Sequence, residues 1–101
     1  MSRILIVEDD PAIGIALEDD LRLEGYAVEL VRDGEAAIVR GRSGEFDLIL
    51  LDVMLPKKDG FDVCRELRRS GIETMILLLT ARTSETDKIV GLDLGANDYV
   101  T

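Results

Sequence analysis

Short apolar runs alternate along the chain with segments in which apolar residues recur at helical spacing. Continuous aliphatic runs of four or five residues are typical of strands that are covered on both faces of a sheet. Such runs predict strands at 4–7, 48–51 and 75–79, and the shorter apolar stretches within 27–31 and 98–101 predict two more. The segments between them predict four helices. Strict alternation of strands and helices indicates an α/β fold, a doubly wound parallel sheet with helices on both faces.

Capping and turn residues mark the ends of the predicted helices. Asp10 is placed to cap the first helix, Pro11 occupies its first position, and Gly25 ends it. The apolar face of this helix is expected at Ile13, Ala16, Leu17 and Leu21. The other three helices are expected to begin at Asp33-Gly34, at Asp59-Gly60 and at Ser84, the last of them running to Gly95.

Length and composition describe one small domain spanning residues 1–101. The formal net charge of -9 argues against direct binding to nucleic acid or to an anionic membrane. No apolar run approaches the roughly 20 residues of a membrane span, and the start lacks a signal-peptide pattern, so we expect a cytoplasmic protein without a membrane partner. The single cysteine, Cys64, is expected to pack in the core, and the lack of histidine excludes a Ser-His or Cys-His hydrolase.

Carboxylates follow the predicted strands where a ligand would bind. In open parallel sheets, ligands bind beyond the carboxyl ends of the strands. Glu8, Asp9 and Asp10 follow the first strand, Asp52 the third, and Thr80 the fourth. Taken singly, Asp10 is best explained as a helix cap, Asp52 as a loop cap and Thr80 as an ordinary hydroxyl. Two carboxylates 4 Å apart repel by about 4 kcal/mol at an effective dielectric near 20, so the group together predicts a cation. Oxygen ligands of this kind favour Mg²⁺.

A carboxylate beside a hard cation can attack phosphorus and form an aspartyl phosphate. Asp52 is the candidate nucleophile, and the Thr80 hydroxyl can donate a hydrogen bond to a phosphoryl oxygen. Lys57 and Lys58 are close in sequence, and their place in a loop indicates ordinary solvated lysines.

Several segments together resemble the receiver domain of bacterial two-component response regulators. The matching segments are 4–11, Asp47 to Pro56 with Asp59-Gly60, 79–82, and 91–99. The last two resemble the subclass whose members carry a winged-helix DNA-binding domain. The resemblance covers nearly the whole chain in the right order, and it implies a flavodoxin-like fold with strand order 2-1-3-4-5.

The resemblance also implies residue roles. Asp52 would be phosphorylated by a sensor histidine kinase, and the protein would be a signalling switch rather than an enzyme. Asp9, Asp52 and the Met54 backbone carbonyl would ligate Mg²⁺ or Mn²⁺, with Glu8 assisting through water. The remaining roles would be phosphoryl contact and switching for Thr80, Ala81 and Tyr99, and a homodimer face, formed on phosphorylation, for Lys88 and Asp98. Asn97 departs from the aspartate common at its position in the family.

The family pattern continues beyond Thr101 with a lysine, a fifth helix and an output domain, all absent from the 101 residues. DNA contact would come only through that output domain. We expect a polypeptide of these residues alone to leave the first, third and fourth strands uncovered on one face, and therefore to be unstable.

Three other functions fit parts of the sequence. A phosphatase of the haloacid dehalogenase type would need an acid two residues after Asp52, where Met54 stands. Glu8 and its acidic neighbours replace the glycines that a pyrophosphate-binding turn requires. A receiver-like binding module that is never phosphorylated remains open, and phosphate incorporation separates it from the switch.

Overall fold

The computed structural model describes residues 2–79 and 96–100 of the chain. The strands are β1 (Arg3–Val7), β2 (Ala27–Val31), β3 (Leu48–Asp52), β4 (Met75–Leu79) and β5 (Asp98–Val100). The helices in these ranges are α1 (Pro11–Leu23), α2 (Gly34–Gly41) and α3 (Gly60–Arg69). The fourth predicted helix, between Ser84 and Gly95, lies outside the described residues.

All neighbouring strands are parallel, and their order across the sheet is β2-β1-β3-β4-β5. This confirms the doubly wound α/β class and the strand order implied by the family resemblance. In the register, Val7 lies opposite both Val31 and Leu51, while Asp52 lies opposite Leu79. The carboxyl ends of the central strands therefore meet along one edge of the sheet.

Each described helix begins with an aspartate that caps it. The Asp10 carboxylate accepts hydrogen bonds from the amides of Ala12 (2.9 Å) and Ile13 (3.3 Å). Asp33 and Asp59 cap α2 and α3 in the same way. These side chains accept from first-turn amides that have no partner within the helix, which stabilises each helix start. The capping interpretation of Asp10 is confirmed.

Alternate strand residues pack on opposite faces of the sheet. One face forms the larger core with α2 and α3, and its strand residues are Leu5, Val7, Ile49, Leu51, Ile76 and Leu78. The other face packs against α1 through Ile4, Ile6 and Leu50, which contact Leu17 and Leu21. Cys64 is fully buried in the larger core, as expected, and this burial raises the pKa of its thiol. Helices therefore cover both faces of the sheet.

Two packing expectations are wrong. Ile13 and Ala16 are exposed, and Gly14 is the buried residue of α1, because the helix backbone lies close to the Leu30 side chain. Glycine has no side chain, so the apolar pattern did not mark Gly14 as buried and placed the buried face of α1 at the wrong residues. The uncovered face is also smaller than expected, since Ile4, Ile6 and Leu50 are buried there, whereas Leu48, Leu77 and Leu79 are partly exposed.

Candidate functional site

Three carboxylates meet at the carboxyl edge of the sheet. Glu8 and Asp9 directly follow β1, and Asp52 is the last residue of β3. Each offers a carboxylate oxygen, and these three atoms all lie within 4.8 Å of one another. Glu8 and Asp52 are partly buried and Asp9 is exposed, so the cluster is open to solvent on one side. Carboxylate oxygens at this spacing can hold a metal ion, and hard cations such as Mg²⁺ prefer such ligands.

The turn after β1 is held by local hydrogen bonds. The Glu8 amide donates to the Val31 carbonyl of β2 (3.1 Å), which continues the sheet pairing one residue past the strand. The Glu8 carboxylate in turn accepts from the Asp10 amide (3.3 Å). Because the Asp10 side chain caps α1, it does not join the cluster. The two residues before it, Glu8 and Asp9, supply the acids from this turn.

The Asp52 side chain is oriented by the loop that follows it. Its Oδ1 atom accepts a hydrogen bond from the Met54 amide (3.1 Å), and the Val53 amide donates to the Leu79 carbonyl of β4 (3.2 Å). The neighbouring strand β4 and the loop itself therefore fix the end of β3. Met54 directly follows this anchored segment, so its backbone is held near the carboxylates, while its side chain is 58% exposed.

Partial burial, together with the neighbouring acids, raises the pKa of Glu8 from 4.5 to about 7. Partial burial is the largest cause, followed by a hydrogen bond to Asp52 and by repulsion from the Asp52 charge. A proton shared in this way relieves part of the negative charge of the cluster. A bound cation would relieve it instead, so the donor set fits a metal ion.

Cations near the cluster are paired elsewhere. Among the ion pairs of residues 2–79 and 96–100, none joins a lysine or arginine to Glu8, Asp9 or Asp52. Lys58 pairs with Glu66 of α3, and Lys57 lies 3.8 Å from the Asp33 carboxylate. The interpretation of Lys57 as a solvated lysine is confirmed, because its side chain is 58% exposed. It is wrong for Lys58, whose side chain is only 34% exposed and pairs with α3.

The other predicted site residues are only partly within the described ranges. Thr80, Ala81 and Lys88 lie outside them. Asp98 and Tyr99 belong to β5, where Tyr99 lies opposite Leu78. The Asn97 side chain accepts hydrogen bonds from the Ile76 amide (2.8 Å) and from Arg68 (3.1 Å). Asn97 thus ties the start of β5 to β4 and α3.

The sequence predicts two glycines at the site only as helix starts. Gly34 and Gly60 are the first residues of α2 and α3, and both lie against the segment that follows Asp52. The sequence signal for a special role is the repeated Asp-Gly pair. Glycine is a poor helix former, and most other residues are tolerated at the first position of a helix, so its use at both positions needs a reason. The reason is that the backbone of each glycine lies very close to the backbone of the loop.

Comparison with known proteins gives one consistent family. The family model described as the response regulator receiver domain matches residues 4–101. Transcriptional regulatory protein TcrA of Mycobacterium tuberculosis is 50% identical over 99 residues, which are 98% of this chain and 39% of that protein. Response regulator protein PmrA of Pseudomonas aeruginosa is also 50% identical over 99 residues, which are 45% of its length. The chain therefore spans less than half the length of these curated relatives.

Among solved structures, the BeF3-activated N-terminal receiver domain of Klebsiella pneumoniae RstA superposes with a TM-score of 0.92. It is 37% identical, and the match covers 98% of this chain and 84% of that one. The similarity thus extends over the whole sheet as well as the sequence.

Proposed function

The chain belongs to the response regulator receiver domain family of two-component systems, and we propose that Asp52 is its phosphoacceptor, assisted by a divalent cation. Receivers are signalling switches, and the family membership leaves no place for the phosphatase and nucleotide-binding alternatives. The supporting observation is the convergence of Glu8, Asp9 and Asp52, with ligand atoms within 4.8 Å of one another and no paired cation among the described residues.

Asp9 and Asp52 would hold Mg²⁺ or Mn²⁺ together with the Met54 backbone carbonyl, and Glu8 would assist through water. The cation supplies positive charge that offsets the negative charge developing on the transferred group. The fit rests on the donor set, which consists of oxygens only and includes one carboxylate whose pKa is raised by partial burial and by its acidic neighbour.

In the proposed reaction, a carboxylate oxygen of Asp52 forms a bond to phosphorus while the bond from phosphorus to the donor breaks. For a phosphohistidine donor, the released imidazole nitrogen keeps the bonding electron pair and takes up a proton from solvent. The Met54 amide holds one Asp52 oxygen in place (3.1 Å), which limits rotation of the nucleophile. The Thr80 hydroxyl, next to Ala81, would then donate a hydrogen bond to the phosphoryl group. The Tyr99 ring would move inward behind Thr80.

The test is phosphate incorporation from acetyl phosphate into the complete natural protein. We expect incorporation only with Mg²⁺ or Mn²⁺ present, and none in Asp52→Asn, because an amide is a poor nucleophile. Asp19→Asn, the same change at an exposed position of α1, serves as the matched control and should label as the parent does. Labelling of Asp52→Asn at the parental rate would refute the assignment, and a parent that never labels would favour the unphosphorylated binding module.

The wider role follows from the relatives, which are described as transcriptional regulators. We propose a sensor histidine kinase as the phosphate source, homodimerisation on phosphorylation through a face that includes Lys88 and Asp98, and DNA contact through a part of the protein outside these residues. None of the described helices has the length and apolar character needed to cross a bilayer.

A further inference from the structure

The segment from Val53 to Asp59, which we call the phosphoacceptor loop, lies between the first residues of two helices. Gly60 begins α3 and Gly34 begins α2. Both glycines touch the loop through backbone atoms, from opposite ends of it. Gly60 lies next to Asp52 and Gly34 lies next to Lys58, and neither glycine would ligate a metal or contact a phosphoryl group.

Gly60 lies against the end of β3 itself. A Cβ atom at this position would be 2.8 Å from Val53 Cα, and nearer still to the carbonyl oxygen of Asp52. The Gly60 amide also donates to the Val53 carbonyl (2.8 Å). Gly60 is not among the described glycines with a positive φ, so its backbone would accept any residue. Glycine is therefore required because a side chain would clash with the neighbouring backbone, and not because of the backbone conformation of Gly60.

Gly34 supports the other end of the loop. A Cβ atom there would lie 2.6 Å from Lys58 Cβ and closer still to the Lys58 carbonyl oxygen. The same helix start contacts the loop twice more, through Lys57, which lies 3.8 Å from the Asp33 carboxylate, and through a long hydrogen bond from the Gly34 amide to the Pro56 carbonyl (3.5 Å). Lys57 has a φ of 67°, a conformation that such neighbours must hold in place.

We propose that Gly60 and Gly34 are positioning residues for phosphoryl transfer to Asp52. This inference rests on the proposed function. Because glycine has no side chain, α3 and α2 can lie directly against the phosphoacceptor loop. This contact sets the position of the Asp52 carboxylate and of the Met54 carbonyl. Gly60 acts directly on the backbone of Asp52 and Val53, whereas Gly34 acts through the far end of the loop.

The size of the effect follows from the contact distances. Ordinary contact begins at 3.4 Å, so a methyl group on Gly60 must move the Val53 Cα by about 0.6 Å, and the Asp52 carbonyl by more. Misplacement of a reacting group by about 1 Å can slow a reaction by about 100-fold. We therefore expect Gly60→Ala to label at least about tenfold more slowly than the parent, and Gly34→Ala to show a smaller loss.

The experiment measures labelling of the complete natural protein by acetyl phosphate at saturating Mg²⁺, well below the melting temperature of each variant. Gly41→Ala is the matched control, because its methyl meets only the flexible side-chain ends of Leu67 (2.9 Å) and Ile49 (3.6 Å). It should lower the melting temperature yet keep the parental rate at saturation. A merely structural role for Gly60 would give the same behaviour as Gly41→Ala.

Parental labelling by folded Gly60→Ala would overturn the proposal. If Gly60→Ala melts below the assay temperature, Gly34→Ala decides by the same criterion, since its methyl meets the same loop. Asp52→Asn is measured alongside. If it labels, both the proposed function and this inference fail, whereas a silent Asp52→Asn with parental labelling of the glycine variants refutes the positioning role alone.

Discussion

Lowering the pH from 8 to 6 is expected to weaken divalent-cation binding by about tenfold. The pKa of Glu8 is raised to about 7 by its partial burial, by its hydrogen bond to Asp52 and by the charge of that residue. At a pKa of about 7, roughly 90% of molecules carry a charged Glu8 at pH 8 and roughly 10% at pH 6. A cation and the Glu8 proton compete, because each offsets the negative charge of the cluster, so the apparent affinity for the cation follows the charged fraction.

The same raised pKa sets the pH dependence of stability without a divalent cation. Between about pH 4.5 and 7, Glu8 holds a proton in the folded chain that the unfolded chain lacks. Folding therefore takes up a proton in this window, and the contribution of Glu8 makes the fold more stable as the pH falls through it. Glu8→Gln keeps a neutral side chain of the same size, so this contribution should disappear.

Mn²⁺ is the convenient probe, because electron paramagnetic resonance reports the free ion directly. The parent should bind Mn²⁺ about tenfold more weakly at pH 6 than at pH 8, and Glu8→Gln should bind with little change across that range. An affinity in the parent that is the same at pH 6 and pH 8 would refute the link between the Glu8 proton and the cation. A Glu8→Gln variant with the full parental pH dependence would assign the proton to another group.

The other predictions concern stability. Leu67→Ala should lower the free energy of unfolding by about 2–5 kcal/mol, because Leu67 is fully buried, whereas Leu23→Ala, at an 85% exposed position, should change it by less than about 0.5 kcal/mol. Urea denaturation compares the two, and equal losses would contradict the core assignment. A polypeptide of residues 1–101 should melt lower and label more slowly than one continued by about twenty natural residues, since Leu77 and Leu79 are only partly buried on the α1 face. Equal melting and labelling would show that a further helix matters little.

Most of the described fold could be predicted because its central strands are largely apolar runs. The strands predicted at 27–31 and 75–79 coincide with β2 and β4. The apolar pattern was less informative for α1, where Gly14 takes the buried position and Ile13 faces solvent. Hydrophobic periodicity locates side chains, and it fails where a helix packs through its backbone.

The candidate site divides in the same way. Glu8, Asp9 and Asp52 were predictable because parallel strands end at one edge, and that rule needs only the strand boundaries. The contact between Gly34 and Lys58 was not predictable, since it joins α2 to a loop distant from it in sequence. Such contacts depend on how two helices pack, and no local pattern encodes that arrangement.

The negative charge of the site also explains which groups hold its acidic residues in place. A partly buried cluster of three carboxylates destabilises the fold, and the Glu8 proton relieves this only in part. The residues that hold the cluster are therefore uncharged or committed: the Met54 amide holds Asp52, the Val31 carbonyl holds Glu8, and Asp10 is bound to its helix. These supports do not involve a cation, so the proposed cation would replace only the Glu8 proton and its hydrogen bond to Asp52. Its binding free energy would add to the stability of the fold.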